Sequence, residues 1–383
     1  MNATTPHNRN ILYMAMELSN KKWVLLFSDG TTRRRKIEME AREIMPLKTQ
    51  IEKAKKHFQF GEDVRVVSCY EAGRDGFWLD RCLKSMGIKN LVLDSASIEV
   101  KQHRRRVKTD GIDVEKLLKL LIRIESGEMK VCSIVRVPSV EEEDSRRLHR
   151  ELERLTNERT GHSNRIQSLL VTQGICIDVK KTFLELIKGI KLWDGSEVPA
   201  DLKQELLHEY ERLKLVELQI MEIKKEQKKR LKEVDSAEKA GGSREDRLKK
   251  VEKLMRLKGV KSAAWLLVME FFGWRKFHNG REVGSLAGLT GTPFDSGNTN
   301  REQGISKAGN KRVRYLMIEL AWCWLRYQPK SKRSLWFAER YLKKDKRSKR
   351  VLIVALARQL LVDFWRYVET DKIPEGAVLK SAA

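Results

Sequence analysis

Apolar and polar positions alternate in short runs over the first hundred residues. Residues 11–19, 22–29 and 32–39 each have strand character. Asn20-Lys21 joins the first two, and Asp29-Gly30, a strong hairpin signal, joins the second and third. A Lys-rich helical stretch follows at about 43–58, then a strand rich in β-branched residues at Val64–Tyr70. The spacing predicts a helix from Arg74 to Met86, closed by Gly87, and a fifth strand at Leu91–Asp94. Asp110 opens a helix running to about Ile124. The order βββαβαβα predicts a mixed sheet flanked by helices.

From Glu141 the period changes. Leu148, Leu152, Leu155, Ile166 and Leu169 recur at spacings of three and four, with Arg159 and His162 interrupting them. Leu202, Leu206, Leu213, Val216, Ile220 and Ile223 repeat the pattern. Two long helices with coiled-coil spacing are expected, paired within one chain or between chains. Ala240-Gly-Gly-Ser reads as a linker. A third region, mainly α-helical, spans about 248–372, and the residues beyond it read as a frayed tail. The expected organisation is therefore 1–138, 139–240, 248–372 and a tail at 373–383.

Charge narrows the function. Of 383 residues, 34% are charged and the net charge is +25. Nucleic acid is the first partner to expect, with an anionic membrane surface as its rival. The longest apolar stretch, Ala263–Trp274, contains Glu270 and is too short to span a bilayer. The N-terminus lacks the apolar core of a signal peptide. Cysteines 69, 82, 132, 176 and 323 follow no metal-ligand spacing and read as reduced residues of a cytoplasmic protein.

Candidate chemistry lies in two places. Glu17 and Glu71 each fall at the end of a strand, and Asp110 and Asp113 open a helix. Converging carboxylates suit a hard cation such as Mg²⁺ or Mn²⁺. Taken singly, Glu17 reads equally as an edge charge, and Asp110 with Asp113 as helix capping. As a set, the acids fall in the order of the metal ligands of an RNase H-like sheet: first strand, fourth strand, and the helix after the fifth. Behind them runs His103–Lys108, where Arg104, Arg105, Arg106 and Lys108 are candidate phosphate contacts, as is the run Arg33–Lys36. The second place is Leu286–Arg314. There Lys307, Lys311, Arg312 and Arg314 flank a Gly-rich loop leading into an apolar helix, Val313–Leu325. Such a loop can cradle phosphate. It holds Ser296-Gly297, which is ordinarily a turn and nothing more. Ser306 is the other serine in reach. The corner at Gly259–Ser262 reads as an anion-binding helix start or a plain αα turn.

These residues resemble the DEDD transposases of bacterial insertion sequences in the "IS one-ten" group, which includes bridge-RNA-guided recombinases. The resemblance covers nearly the whole chain. Thr109-Asp110-Gly-Ile-Asp113 is close to that group's Asp-x-x-Asp step. Gly288-Leu-Thr-Gly-Thr-Pro293, Ser296-Gly297 and Ile305-Ser-Lys-Ala-Gly309-Asn310-Lys-Arg312-Val-Arg314 are similar to its C-terminal blocks. Two departures stand out. Glu17 occupies the place of an Asp, and the block ending at Pro293 carries extra residues. The resemblance implies an α/β RNase H-like (RuvC-like) N-terminal domain, a coiled-coil middle and a C-terminal transposase domain. It implies that Ser296 is a nucleophile forming a phosphoserine link to DNA, and that Glu17, Glu71, Asp110 and Asp113 hold Mg²⁺. Arg312, Arg314 and Lys307 would hold nearby phosphates. The implied partners are donor and target DNA, a structured guide RNA, and further copies of the chain in a dimer or tetramer in which serine and acids meet across protomers. The implied location is the bacterial cytoplasm, at the nucleoid. Two other readings of the residues remain: a RuvC-like metal-dependent nuclease without serine catalysis, and a non-catalytic nucleic-acid-binding protein.

Overall fold

The structure is a computed structural model that describes residues 10–73, 75–98, 110–128, 131–179, 183–236, 243–296, 299–342 and 346–380. For Asp110 and residues 293–296 and 299–303 it describes only the backbone. The chain divides into two compact units, 1–138 and 139–383.

The first unit is built on a five-stranded mixed sheet. Strands β1 (Ile11–Leu18), β2 (Lys22–Ser28), β3 (Arg34–Glu40), β4 (Arg65–Glu71) and β5 (Lys89–Leu93) lie in the order β3-β2-β1-β4-β5. β1 to β3 are antiparallel neighbours, whereas β4 and β5 run parallel to β1. β1 is central and covered on both faces, which is why it reads as an unbroken apolar run. Leu12, Met14 and Met16 face one layer, with α1 (Ile44–His57) and α2 (Trp78–Ser85). Ile11, Tyr13 and Ala15 face the other, against Val114, Leu117, Leu118 and Leu121 of α3 (Asp110–Glu125). A buried polar chain fixes α2 to the sheet. Ser68 Oγ lies 2.7 Å from Asn90 Oδ1, Asn90 Nδ2 donates to Asp80 at 2.8 Å, and Lys84 pairs with Asp80 at 2.8 Å. α2 starts four residues later than the spacing predicts, because Gly76 takes a positive φ of 66° in the turn before it.

The second unit is helical apart from one hairpin. A capping box on Ser139 starts α4 (Val140–Asp144). Helices α5 (Arg147–Val171) and α7 (Ala200–Ser236) then pack antiparallel, with α6 (Phe183–Gly189) in their connection. Leu155 meets Val216, Ile220 and Ile223, while Ile166 and Leu170 meet Leu206, Tyr210 and Leu213. The seam is thus closed within one chain. Its polar interruption has a partner: buried Glu209 accepts from His162 at 2.7 Å and from Arg165 at 3.1 Å.

Helices α8 (Ser243–Arg256), α9 (Ala263–Leu267), α10 (Gly280–Leu286), α11 (Lys311–Tyr327), α12 (Lys332–Tyr341) and α13 (Lys346–Thr370) form the remaining core. A π turn at Val268–Phe272 follows α9. The corner before α9 is a plain turn. The N–H groups of Ala263, Ala264 and Trp265 are already donated to Val260, Lys261 and Ser262, so no free anion cradle exists there.

Two expectations fail here. The segment 286–310 is not an open loop but carries β6 (Gly291–Ser296) and β7 (Thr299–Ile305), an antiparallel hairpin. The residues after 372 are not frayed up to Lys380. Val378 exchanges hydrogen bonds with the Gln328 side chain at 2.7 and 2.8 Å, and Lys380 N donates to Arg256 O at 2.7 Å. Backbone groups satisfied by a buried side chain hold the tail down. Among the described residues no helix is long and apolar enough to cross a membrane.

Leu213 is 3% exposed in the α5–α7 seam. Leu213→Ala should lower the stability of that helix pair by about 2–5 kcal/mol. Hydrogen exchange should show the loss in α5 and α7, with β1–β5 unchanged.

Candidate active site

The first-unit acids sit at one edge of the sheet. β1 and β4 are parallel neighbours in which Met16 pairs with Tyr70, so Glu17 and Glu71 follow side by side at the two strand ends. Both line a small cavity of about 170 Å³ with Asp75 and Gly76. Asp75 is a third acid that the sequence reading passed over, although the turn Gly73-Arg-Asp-Gly76 directly follows β4. It pairs with Arg42 at 3.0 Å.

The direction of α3 brings its acids to the same edge. Its last residue, Glu125, accepts from Arg65 at 2.9 Å and pairs with Lys89, the first residues of β4 and β5. The Cys69 thiol donates to Leu117 O at 3.4 Å midway along. α3 therefore runs antiparallel to β4, and its first turn, carrying Asp110 and Asp113, lies toward the strand ends that bear Glu17 and Glu71. Asp113 is partly buried and receives Lys116 Nζ at 3.1 Å. The Asp110 side chain and Arg104, Arg105, Arg106 and Lys108 lie outside the described residues. Among the described residues, no three His, Cys, Asp or Glu side chains form a ready metal cage.

In the run Arg33–Lys36, Arg33 pairs with Asp29 at 3.5 Å and stacks over Phe58. Arg34 donates to Ser28 Oγ at 2.6 Å. Both are engaged in holding the β2–β3 turn.

In the second unit, Ser296 is the last residue of β6, paired with Thr299. Residues 297 and 298 and the Ser296 side chain lie outside the described residues. The hairpin base is a close backbone contact. Gly288 (φ +67°) and Gly309 (φ +90°) leave no room for a Cβ: one would fall 2.0 Å from Ala308 O, the other 2.1 Å from Leu286 O. Asn310 N donates to Leu286 O at 3.0 Å, and Ser306 N to Thr290 O at 2.9 Å. Arg314 completes this clamp, with Nη1 donating to Lys307 O at 2.8 Å and Ala287 O at 3.4 Å. Arg312 is ion-paired to Glu153 at 2.9 Å. Lys307 and Lys311 are exposed.

A buried charge cluster anchors the clamp. Glu270, in the π turn, is 3% exposed. It lies 2.9 Å from His149 Nε2 and accepts from Arg150 at 2.5 and 2.9 Å. Burial pushes its carboxyl up, but the hydrogen bonds from His149 and Arg150 and the Arg150 charge outweigh this and hold it at about 2. Asn310 ties the two features together. Its Oδ1 caps α11 by accepting from Arg312 N and Val313 N, and its Nδ2 donates to Glu270 O at 3.4 Å. The sequence held one clue to this cluster: a single acid within the twelve-residue apolar stretch Ala263–Trp274.

Comparison with known proteins places the chain in a family. The family model described as "Transposase IS116/IS110/IS902 family" matches residues 251–335, the stretch holding the hairpin and its clamp. "Putative transposase y4rJ" of Sinorhizobium fredii (strain NBRC 101917 / NGR234) is 37% identical over 379 residues, which is 97% of this chain and 95% of that protein. "Putative transposase y4qE" of the same strain is 26% identical over 276 residues, 72% of this chain and 62% of that one. The chain belongs to the IS116/IS110/IS902 family of transposases.

Two outcomes follow from this geometry. Gly309→Ala forces a Cβ into a carbonyl oxygen at a positive φ, a strain of at least about 1–2 kcal/mol before the overlap is counted. Hydrogen exchange in β6 and β7 should rise sharply, with α5 and α7 unaffected. For Glu270, the folded pKa lies below the unfolded value of about 4.3, so its contribution is complete above that value and is lost as pH falls toward about 2. Glu270→Gln should therefore be less stable than the parent at pH 7, and urea titrations should show the gap narrowing between pH 4.5 and 2.5.

Proposed function

We propose that this transposase cuts and rejoins DNA strands through a serine-linked intermediate, with Ser296 as nucleophile and Glu17, Glu71, Asp110 and Asp113 as a metal-holding set. The observation that carries the reading is the shared sheet edge. Two carboxylates end adjacent parallel strands, and the helix bearing the other two starts toward the same edge. Like charges so close favour a cation between them. The strand order β3-β2-β1-β4-β5 supports a RuvC-like (RNase H-like) domain. The antiparallel α5–α7 pair fits a coiled coil.

An all-carboxylate donor set fits Mg²⁺ or Mn²⁺. Such an ion, when bound, stabilises charge on phosphoryl oxygens and on a serine alkoxide. The chain's own residues do the rest. The Ser296 hydroxyl oxygen forms a bond to phosphorus as one P–O bond of the DNA strand breaks. The proton lost by the serine is balanced by the one taken up on the freed deoxyribose oxygen. Attack by a hydroxyl of another DNA strand reverses the step, restoring the serine and joining the strands without ATP. Lys307 and Lys311, both exposed, meet the approaching phosphates, and Arg312 can exchange Glu153 for one. The clamp of Gly288, Gly309 and Arg314 holds the hairpin that presents the serine. A structured guide RNA and self-association to a dimer or tetramer belong to the same reading.

Ser296→Ala should keep DNA binding and lose both strand exchange and any covalent protein–DNA adduct, while Ser306→Ala keeps them. Glu71→Gln and Asp110→Asn should abolish strand exchange with the fold intact, and Glu17→Asp should be tolerated better than Glu17→Ala. Adduct formation by Ser296→Ala would sink the serine step and leave a water-using metal-dependent nuclease. Normal exchange by both acid variants would sink the metal site.

A further inference from the structure

A cavity of about 730 Å³ opens between α10 and α13, beside the base of the hairpin at Thr290. Four arginines line it, Arg281, Arg333, Arg358 and Arg366, and no acid does. Arg333 is held by Asp363 at 2.6 and 2.9 Å, and Arg366 lies 3.9 Å from the same carboxylate. Arg281 and Arg358 have no ion-pair partner among the described residues, and both are exposed. A second cavity of about 490 Å³ shares Arg333 and Arg366 and is of mixed charge, lined by Lys332 and Lys372 together with Asp363 and Glu375. The uncompensated positive charge therefore lies in the first cavity.

The groove is built by close packing. Gly280 and Gly284, one turn apart on α10, face α13. A Cβ on Gly280 would lie 2.9 Å from Val362 Cγ1, and one on Gly284 would lie 3.2 Å from Arg358 Cγ. The glycine at 284 thus lets the Arg358 stem lie flat on α10. Arg358, Val362 and Arg366 share one face of α13 at spacings of four, a pattern that sets the two arginine Cα atoms about 12 Å apart along the groove. Positive charge in a concave surface focuses an attractive field on an anion.

We propose that this groove binds the phosphate backbone of the DNA strand that the hairpin engages, with Arg281 and Arg358 as its direct phosphate contacts. The inference rests on the reading of the hairpin as the place of cutting. Thr290 lines the groove and β6 begins at the next residue. Six residues of strand span about 20 Å to Ser296. A duplex rises about 3.4 Å per base step, so the bound phosphate lies about six steps from the one attacked. Duplex DNA, and not guide RNA, is the occupant, because the groove adjoins the hairpin that meets the strand to be cut.

The test is a salt titration of full-length protein binding a fluorescent 40-base-pair duplex, read by anisotropy. Each lost phosphate contact lowers the slope of log K against log salt by about 0.9. The double variant Arg281→Gln/Arg358→Gln should lose about 1.8 from the slope, and Arg281→Lys/Arg358→Lys should lose far less, which separates charge from folding. An unchanged slope for the Gln pair overturns the proposal. So does a loss seen only with structured RNA, and so does an equal loss in the Lys pair. Ser296→Ala is run alongside and should match the parent slope. If that variant still forms a covalent adduct, the serine reading fails on its own, while the Gln-pair slope still decides whether the groove holds DNA.

Discussion

A carboxylate removed from water is costly unless charge and hydrogen bonds replace the solvent. Glu270 meets that condition with His149 and Arg150, from a helix some 120 residues earlier in the chain. The π turn is part of the arrangement: such turns often aim a side chain that a regular helix would misplace. Through Asn310 the same backbone reaches the cap of α11 and the loop behind it. The first turn of α5, through the carboxylate, and the base of the hairpin, through the main-chain oxygen, are therefore fixed to one residue. Removing Arg150 or His149 would leave a buried charge short of partners, and both elements would lose their common reference point.

What could be read from the sequence follows the range of the interactions involved. Four of the five strands are legible because β1, β2, β4 and β5 are buried, which writes apolar runs and β-branched residues directly into the chain. The other, β3, largely unburied and charged, is legible from the Asp29-Gly30 turn before it. The adjacency of Glu17 and Glu71 is legible too, since acids just past apolar strands mark the carboxyl edge of a parallel pair. Asp75 escaped notice because nothing local separates it from an ordinary turn acid. Only its position in the cavity with Glu17 and Glu71 does so. The β6–β7 hairpin was read as a loop because Gly-Thr-Pro-Phe-Asp-Ser has poor strand propensity. The Gly297-Asn298 step between flanking runs was the signal available. The tail was read as frayed because its anchor, Gln328, lies fifty residues upstream.

The arginines divide by what already holds them. In the segment 307–314 charge density suggested a phosphate cradle, yet Arg314 donates to two backbone carbonyls of the clamp, and Arg312 is paired with Glu153. Arg314 acts in the clamp as a positioning residue: one nitrogen, Nη1, donates to both carbonyls. On α13, Arg358 has no ion-pair partner among the described residues, whereas Arg366 lies 3.9 Å from Asp363. The two form no basic run in the sequence, but four-residue spacing brings them to one face beside Arg281. A count of clustered cations therefore does not show which of them are already held.

The clamp combines backbone contact with apolar anchoring. Two glycines at positive φ, an asparagine cap and one guanidinium bring residues 286–290 and 306–310 together, and buried Ala287 and Leu289 root the first of these segments in the core. Such a contact tolerates no added methyl. In the first unit, buried residues of β1 and β4 fix the strand ends, and the acids that end them add little to the core. On the proposed reading, the residues that determine geometry and those that supply chemistry are therefore different residues in both units. For that reason acid-to-amide and serine-to-alanine changes can probe the reaction without dismantling the fold, whereas a single methyl on Gly288 or Gly309 cannot.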